Sequence, residues 1–244
     1  MKQIQSAVIF LLLSVLAISP AFSQDNDWGN KHDKNRIEGS GNMITKEYPV
    51  QSFEELEASG VFSIQLIQGG KEQVKIEADD NLMDLFEVKN DGSKLVIKMK
   101  KDSNFSSKKM MKVYVTFKSL KAMDLNMVGS LKSDDKLSFG NLKIKNGSVG
   151  SLDLHMTAQN IDLNNSSVGS VKLEGKAENA VIKNKGVGSI QAGDFIVQTM
   201  DIDNTGVGSA TVNAEKECKV KDSFLGKVNN KGGATVKRST KTVI

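Results

Sequence analysis

The sequence predicts an all-β protein whose C-terminal half is a parallel β-helix, or β-solenoid, of about six coils of roughly 20 residues each. Two observations predict this fold. A Val-Gly-Ser tripeptide recurs at nearly constant spacing, and short runs of alternating apolar and polar residues stand at fixed distances from each copy. A strand-rich N-terminal region, residues 46–118, precedes the coils and is expected to extend or cap them.

The repeat is defined by the spacing of the tripeptide. Successive copies stand 21, 19, 19, 20 and 18 residues apart. They are Val128-Gly129-Ser130, Val149-Gly150-Ser151, Val168-Gly169-Ser170, Val187-Gly188-Ser189, Val207-Gly208-Ser209 and a worn copy, Leu225-Gly226-Lys227. A unit of this length holds two short strands and cannot bury its apolar face alone, so successive units must stack. Residues 119–236 are therefore predicted to form the solenoid.

Aliphatic side chains recur at four positions in each unit: seven and five residues before the valine, and three and five residues after it. The pairs before the valine are Leu142 and Ile144, Ile161 and Leu163, Ala180 and Ile182, Met200 and Ile202, and Cys218 and Val220; the pairs after it are Leu152 and Leu154, Val171 and Leu173, Ile190 and Ala192, and Ala210 and Val212. Polar residues alternate with them, which places one face of each strand inside. Cys218, the single cysteine, is expected to be buried and inert.

Two further features favour a parallel stack over an antiparallel meander. Asparagine stands three residues before the valine in four copies, at Asn146, Asn165, Asn184 and Asn204, and Asp222 takes the place in the worn copy. Parallel stacking would put these side chains one above another about 4.8 Å apart, where their amides can bond up the stack. The glycine after each valine indicates a turn with positive φ or a close backbone approach.

The first and last copies depart from the pattern. Around Val128 the asparagine is one residue late, at Asn126, so this coil is interpreted as the join between the two halves. Asn230 stands where an inward aliphatic residue is expected, which suits an end cap. The basic tail, residues 237–244, is expected to fray.

The N-terminal region shows strict alternation in several runs, for example around Phe62, Ile64 and Leu66, which is typical of half-buried strands. Asn90-Asp91-Gly92 predicts a hairpin turn. Asp79-Asp80-Asn81 predicts the start of a short helix or turn. We interpret its acidic residues as side-chain caps of that turn rather than calcium ligands.

Residues 1–23 have the pattern of a secretory signal peptide. Lys2 is followed by the apolar run 7–18, and Ala21-Phe22-Ser23 places small residues before a cleavage site. No other segment is apolar enough to cross a bilayer. Residues 24–45 are polar and aperiodic and are expected to form a flexible leader. The protein is therefore predicted to be exported to the periplasm, the outer surface or the medium.

Composition excludes one class of partner and predicts no reactive site. Lys and Arg total 33 against 29 Asp and Glu, without the clustered basic stripe that nucleic-acid binding requires. Of the two histidines, His32 lies in the leader and His155 is outward and isolated. No catalytic, metal-binding or cofactor-binding residues are predicted. An enzyme hypothesis depends on the outward acids Asp153, Asp162, Asp201 and Asp203, which could form an acidic column.

The chain resembles the head GIN domain family, the auto-transporter adhesins common in Bacteroidetes. The resemblance rests on Tyr48-Pro49-Val50, Phe53-Glu54-Glu55-Leu56, Ser59-Gly60-Val61-Phe62, Gln68-Gly69, the run Ile76–Leu82 and the strand at 94–99, together with the Val-Gly-Ser turns. It covers about residues 46–236. It implies an exported β-helical protein at the cell surface, with no established catalytic or ligand residues to carry over.

Three functional hypotheses follow. The first is a non-catalytic, adhesin-like cell-envelope protein that binds an envelope protein or glycan through the sides or open end of the stack. The second is a carbohydrate-active enzyme, a polysaccharide lyase or hydrolase on a β-helix, which requires clustered carboxylates. The third is a periplasmic structural protein that self-associates into homo-oligomers through exposed strand edges.

Overall fold

The structure is a computed structural model that describes residues 36–101 and 103–239. The predicted signal peptide, residues 24–35 of the predicted leader and residues 240–244 of the tail lie outside the described residues.

The described residues form strands almost throughout, with one short 3-10 helix at Asp80–Leu85. The strands are β1 Ile37–Glu38, β2 Met43–Tyr48, β3 Glu55–Val61, β4 Ser63–Gln68, β5 Gln73–Asp79, β6 Phe86–Asp91, β7 Lys94–Met99, β8 Phe105–Ser106, β9 Lys112–Phe117, β10 Ala122–Val128, β11 Leu131–Lys132, β12 Leu137–Asn146, β13 Leu152–Asn165, β14 Val171–Asn184, β15 Ile190–Asn204, β16 Ala210–Asp222, β17 Val228–Asn230 and β18 Val236–Arg238.

The C-terminal half is a parallel solenoid, which confirms the predicted fold class. Strands β12 to β16 pair in parallel, each with the next, and each is one layer of the stack. Equivalent residues of successive coils lie in register, so that Ile144 pairs with Leu163, Leu163 with Ile182 and Ile182 with Ile202. All four side chains are fully buried. Burial of each such side chain stabilises the fold by about 1.5–3 kcal/mol, so the stacked columns form a continuous core.

The asparagine column forms the predicted ladder inside the stack. Nδ2 of Asn146 donates to Oδ1 of Asn165 over 2.9 Å, Asn165 to Asn184 over 2.8 Å, and Asn184 to Asn204 over 2.6 Å. In the last layer Asn204 donates to the carbonyl oxygen of Gly226. All four asparagines are buried, so the ladder satisfies amides that would otherwise be unpaired in the core.

The recurring glycines are required by both conformation and space. Gly150, Gly169 and Gly188 have φ values of 141°, 143° and 137°. A Cβ at any of them would lie 2.0–2.2 Å from the carbonyl oxygen of the glycine in the preceding coil. The Val-Gly-Ser turns therefore stack backbone on backbone at a distance that a larger side chain would prevent.

The N-terminal half extends the stack and then closes it. β10 and β11 pair in parallel with β12 and β13 on one side and with β3 and β4 on the other, so the coil around Val128 is the join, as predicted. β7 and β9 add parallel strands beyond β3 and β4. Antiparallel β6, β5 and β2 then end the sheet, and β6 and β7 form the predicted hairpin around Gly92.

The prediction of a flexible leader is wrong for residues 36–45. Ile37–Glu38 pairs with Phe105–Ser106, and Met43–Tyr48 pairs antiparallel with β5. Asp79 helps to hold this segment in place, because its carboxylate accepts hydrogen bonds from the backbone N–H of Gly41 and from Oγ of Ser107. The local alternation of residues 36–45 does not indicate such a contact. Of the two acidic residues expected to cap the turn, Asp79 makes no side-chain bond to the 3-10 helix, whereas Oδ1 of Asp80 accepts a hydrogen bond from the backbone N–H of Asn81.

At the other end, Asn230 closes the core as predicted. Its side chain accepts a hydrogen bond from the backbone N–H of Ala214 and donates to three carbonyl oxygens, those of Ala214, Gly232 and Ala234. Residues 237 and 238 of the predicted tail are ordered, because β18 pairs with β16 and Arg238 Nη1 binds Asp222 Oδ2 at 2.5 Å. The fold therefore continues past residue 236.

Candidate functional site

The outward side chains of the coils form straight columns on two faces. The first, here called the polar face, comes from the run that precedes each Val-Gly-Ser turn. Its three columns are Asn141, Asn160, Asn179 and Thr199; Lys143, Asp162, Val181, Asp201 and Lys219; and Lys145, Asn164, Lys183, Asp203 and Lys221. The second face comes from the run after each turn, with Lys132, Asp153, Lys172, Gln191 and Thr211 in one column.

Charges on the polar face are paired between layers. Lys145 Nζ lies 2.9 Å from Asp124 Oδ2, and Lys221 Nζ lies 2.6 Å from Asp203 Oδ2. The hydrogen bond and charge of Asp124 raise the pKa of Lys145, which keeps the ammonium group protonated. Because acids and lysines are interspersed along the stack, this face carries both signs close together rather than a field of one sign.

A second amide ladder runs along the outside of the same face. Nδ2 of Asn160 donates to Oδ1 of Asn141 at 2.5 Å, and Nδ2 of Asn179 donates to Oδ1 of Asn160 at 2.8 Å. These three residues are exposed or half-exposed, unlike those of the internal ladder. Their second amide hydrogens and spare oxygen lone pairs remain available to a polar ligand.

Three shallow grooves adjoin one another on the polar face, with volumes of about 520, 480 and 450 Å³. The first contains the exposed amide ladder, the second contains Lys145 and Lys185, and the third contains Asp203, Lys221 and Arg238. Of the described residues that line them, none is aromatic, so sugar rings would find hydrogen-bonding groups here but no stacking platform.

The acidic column on which the enzyme hypothesis depends does not form. Asp153 lies on the second face, whereas Asp162 and Asp201 share a column but are separated by Val181. Two strand spacings put them roughly 10 Å apart. Asp203 stands in the neighbouring column and is bonded to Lys221. Asp201 and Asp203 stand two residues apart on one face of β15, but lysines and Val181 occupy the neighbouring layers, so the four carboxylates do not form one column.

The second face holds the outward histidine in an ion-paired setting. His155 lies in register with Glu174, whose carboxylate is 2.6 Å from Lys172 Nζ. The hydrogen bond and charge of Lys172, with a smaller effect of His155, lower the pKa of Glu174. A groove of about 370 Å³ lies toward the N-terminal end of this face, between Met110 and Tyr114. The pKa of Tyr114 is raised by burial and by its hydrogen bond to Glu77.

Cys218 is fully buried among the aliphatic columns, as predicted. Burial raises the pKa of its thiol, which disfavours the reactive thiolate. Within residues 36–101 and 103–239, no group of three or more histidine, cysteine, aspartate or glutamate side chains is placed to hold a metal ion.

The valines on which the repeats align were not assigned to any surface by the alternation of their neighbours. The structure shows that they are half-exposed and stacked in one line between the two faces. An outward apolar residue repeated at the same position in every unit is a signal that could have been read from the sequence.

These features define a class of protein: an all-β solenoid whose regular outer columns offer an extended surface for contact. The chain belongs to the family described as "putative auto-transporter adhesin, head GIN domain", whose model matches residues 52–234. The resemblance inferred from Tyr48 to the Val-Gly-Ser turns is thereby confirmed.

Solved structures show the same fold. A "putative adhesin" from Bacteroides fragilis NCTC 9343 is 29% identical, with a TM-score of 0.72 over 83% of this chain and 100% of that one. A "putative lipid binding protein" and a "putative adhesin", both from Parabacteroides distasonis ATCC 8503, are 19% and 20% identical, with TM-scores of 0.67 and 0.64. Each covers 84% of this chain and 96% of its own.

A comparison with curated proteins found no match. Among the residues that the structure describes, no helix has the length and apolar character needed to cross a bilayer.

Proposed function

We propose that this protein is a non-catalytic, exported, adhesin-like protein of the cell envelope that binds a protein or glycan partner through its polar face. The observation that carries this proposal is the polar face itself: paired charges, an exposed amide ladder and three adjoining grooves repeat along one rigid stack. An array with one layer about every 4.8 Å suits an extended or repetitive ligand better than a single small molecule.

The chemistry of this face favours recognition of a polar, weakly charged surface. Lys145 and Lys221 are each paired with an acid, Asp124 and Asp203, so a polyanion would meet repulsion as well as attraction. Amides can both donate and accept, and they therefore suit hydroxyl groups and peptide groups alike. A glycan or the backbone of an envelope protein fits these requirements.

The arrangement of carboxylates supports the non-catalytic part of the proposal. Glycoside cleavage in most enzymes uses two acids about 5–10 Å apart that face the same bond. On the polar face Asp162 and Asp201 flank Val181, and Asp203, the neighbour of Asp201 on β15, is bonded to Lys221. Each acid thus has a structural partner or an aliphatic neighbour in place of a catalytic one.

Export is supported by the signal-peptide pattern of residues 1–23 and by membership of an adhesin family. Surface proteolysis of intact cells tests the location. We expect the protein to be released or cleaved without lysis if it is displayed on the surface, and to be protected until the outer membrane is opened if it is periplasmic. Recovery with the cytoplasmic fraction, with the N-terminal residues retained, would contradict export.

Binding is tested with a polar-face variant and a matched control. Asn160→Ala with Asn179→Ala removes the exposed amides, whereas Gln191→Ala with Thr211→Ala removes two polar groups from the second face. Cell-envelope fractions and a glycan array are probed with each purified protein. We expect the first variant to lose at least about ten-fold in binding, as the loss of two hydrogen-bonding side chains implies, and the control to bind like the unaltered protein. Equal binding by both variants would contradict a role for the polar face.

A further inference from the structure

A line of half-exposed apolar side chains runs the length of the stack. Valines 128, 149, 168, 187 and 207 pair in succession as parallel bridges, so their side chains lie directly above one another. At one end Val61 pairs with Val128; at the other, the backbone N–H of Gly208 donates to the carbonyl oxygen of Leu225. We call this line of side chains the Val rib.

The Val rib extends one layer further, to Met110. Ser63 pairs in parallel with Lys112, and the backbone N–H of Ser63 donates to the carbonyl oxygen of Met111. Val61 and Met110 stand two residues before Ser63 and Lys112, and both line one groove. The rib therefore has eight rungs, each 38–60% exposed, in the order Met110, Val61, Val128, Val149, Val168, Val187, Val207 and Leu225. At one strand spacing per layer it is about 34 Å long.

Folding alone does not require this rib to be apolar. Extended backbone at the bridge favours a β-branched side chain, and threonine would serve that purpose while offering water a hydroxyl group. The steric demand of the turn falls on the glycine that follows each valine, which packs on the preceding coil. Apolar residues nevertheless occupy all eight rungs, leaving a continuous apolar strip in water.

The borders of the Val rib are small and uncharged along most of its length. Two residues after the rungs stand Ser63, Ser130, Ser151, Ser170, Ser189 and Ser209. A convex rib with low borders cannot enclose an acyl chain or a peptide as a groove would. It can press against a second surface that has the same spacing, and another copy of the rib has that spacing.

The size of the strip suits a dimer. Eight side chains that are about half exposed present on the order of 600 Å² of apolar surface, and the serine and glycine borders bring the contact close to the ~800 Å² per partner of a specific interface. An antiparallel pairing is self-complementary about a two-fold axis. Its centre would lie between Val149 and Val168.

The ends of the rib favour the antiparallel arrangement. Phe224, beside the last rung, is 88% exposed, and Met110 forms the first rung. Antiparallel pairing brings the Phe224 end of each copy to the Met110 end of the other, where sulfur and ring can make contact. This happens twice in the dimer and removes an exposed aromatic ring from water.

We propose that two copies of this protein associate rib to rib, antiparallel, through the eight half-exposed side chains of the Val rib. The interface is separate from the polar face and leaves that face open in both copies.

The first experiment measures association by sedimentation equilibrium of the purified protein. We expect the unaltered protein to dimerise at micromolar concentrations. Val149→Thr with Val168→Thr, which keeps β-branching, is expected to raise the dissociation constant at least about ten-fold, and Phe224→Ala is expected to raise it less. Asn160→Ala, on the polar face, is the control and leaves the constant unchanged. Far-UV circular dichroism verifies that all variants are folded.

The second experiment tests orientation with single cysteines and a bifunctional maleimide of about 8 Å reach. In the antiparallel dimer the two thiols introduced by Val168→Cys lie one rung apart along the rib, whereas those introduced by Val207→Cys lie roughly 24 Å apart. We expect Val168→Cys alone to cross-link. Cys218 is buried and does not contribute.

Three outcomes would overturn the proposal: a protein that remains monomeric at concentrations on the order of 100 micromolar, where even weak specific dimers form; rib variants that dimerise as well as the control; or cross-linking of Val207→Cys in preference to Val168→Cys. Binding of monomers to phosphatidylcholine vesicles that is lost in the threonine variant would assign the rib to a lipid surface and equally overturn it. Loss of envelope binding in the polar-face variant with an intact dimer would leave this inference standing.

Discussion

Substitution of Asn165 by alanine tests the internal ladder directly. Asn165 lies in the middle of the stack and is 4% exposed. Its Oδ1 accepts hydrogen bonds from Nδ2 of Asn146 and from Oγ of Ser167, each over 2.9 Å, and its Nδ2 donates to Asn184 over 2.8 Å. Alanine therefore removes three buried hydrogen bonds at once.

The expected cost follows from those three bonds. Each buried hydrogen bond contributes a net of about 1 kcal/mol, and a donor left without a partner in the core costs about 1–3 kcal/mol. The amide of Asn146 is itself buried and cannot turn to bulk water. We expect Asn165→Ala to lower the free energy of unfolding by about 3–5 kcal/mol.

Urea unfolding followed by circular dichroism measures the change, with the slope against urea showing whether the unfolded surface is unaltered. The matched control is Asn160→Ala, which removes an amide of the same type from the exposed ladder. Water replaces its partners, so we expect a change within about 0.5 kcal/mol. A cost for Asn165→Ala below about 1 kcal/mol, or equal costs for the two variants, would refute the view that burial makes the internal ladder stabilising.

Three further predictions test other parts of the fold. Gly169→Ala forces a Cβ to within 2.0 Å of a backbone carbonyl oxygen at a φ of 143° and should cost at least about 3 kcal/mol in a thermal melt, whereas Gly140→Ala, which meets nothing within 4 Å, should stay within about 0.5 kcal/mol. Burial raises the pKa of Cys218 above its ordinary value of 9.0, so the neutral thiol is favoured in the folded protein. This contribution to stability is present below pH 9 and is lost as the pH rises through the higher pKa of the folded state. Urea midpoints should therefore fall more steeply above pH 9 for the unaltered protein than for Cys218→Ala. Asp79→Ala should release the strands at 37–48 and speed tryptic cleavage at Arg36 and Lys46 several-fold, while the solenoid stays intact. Unchanged cleavage rates would show that the pairing of β2 with β5 is sufficient to hold the segment.

The repeat explains why so much of the solenoid was predictable. A period near 20 residues places the same side chain in the same environment in every coil, so one alignment predicted the buried aliphatic columns, the ladder of Asn146 to Asn204 and the positive φ of the turn glycines. Each of these depends on a short stretch of chain and on the layer directly above it. In a repeat protein the sequence therefore predicts both the alternation within each strand and the register between successive layers.

Features outside the repeat were harder to predict for a physical reason. The strands at 37–48 contain few alternating apolar residues, and they are held by the carboxylate of Asp79 from far along the chain. Likewise, the sequence predicted that each of the acids in the enzyme hypothesis faces outward. Whether the acids cluster depended on which coil each one occupies and on the lysine or valine between them. The antiparallel strands β2, β5 and β6 lie outside the repeat, so the repeat could not predict their pairing.

By itself, the sequence determined the class of fold, the inward residues and the turns, because each follows from a period of two within a strand or of about 20 between coils. Only the tertiary structure decided which surfaces result. It brought Met110 and Val61 to one groove at the end of the line of valines, paired acids with lysines across layers, and separated a polar face from an apolar rib. The reason is that a surface is assembled from residues about 20 to 70 positions apart, and their neighbours are chosen by strand register rather than by chain order.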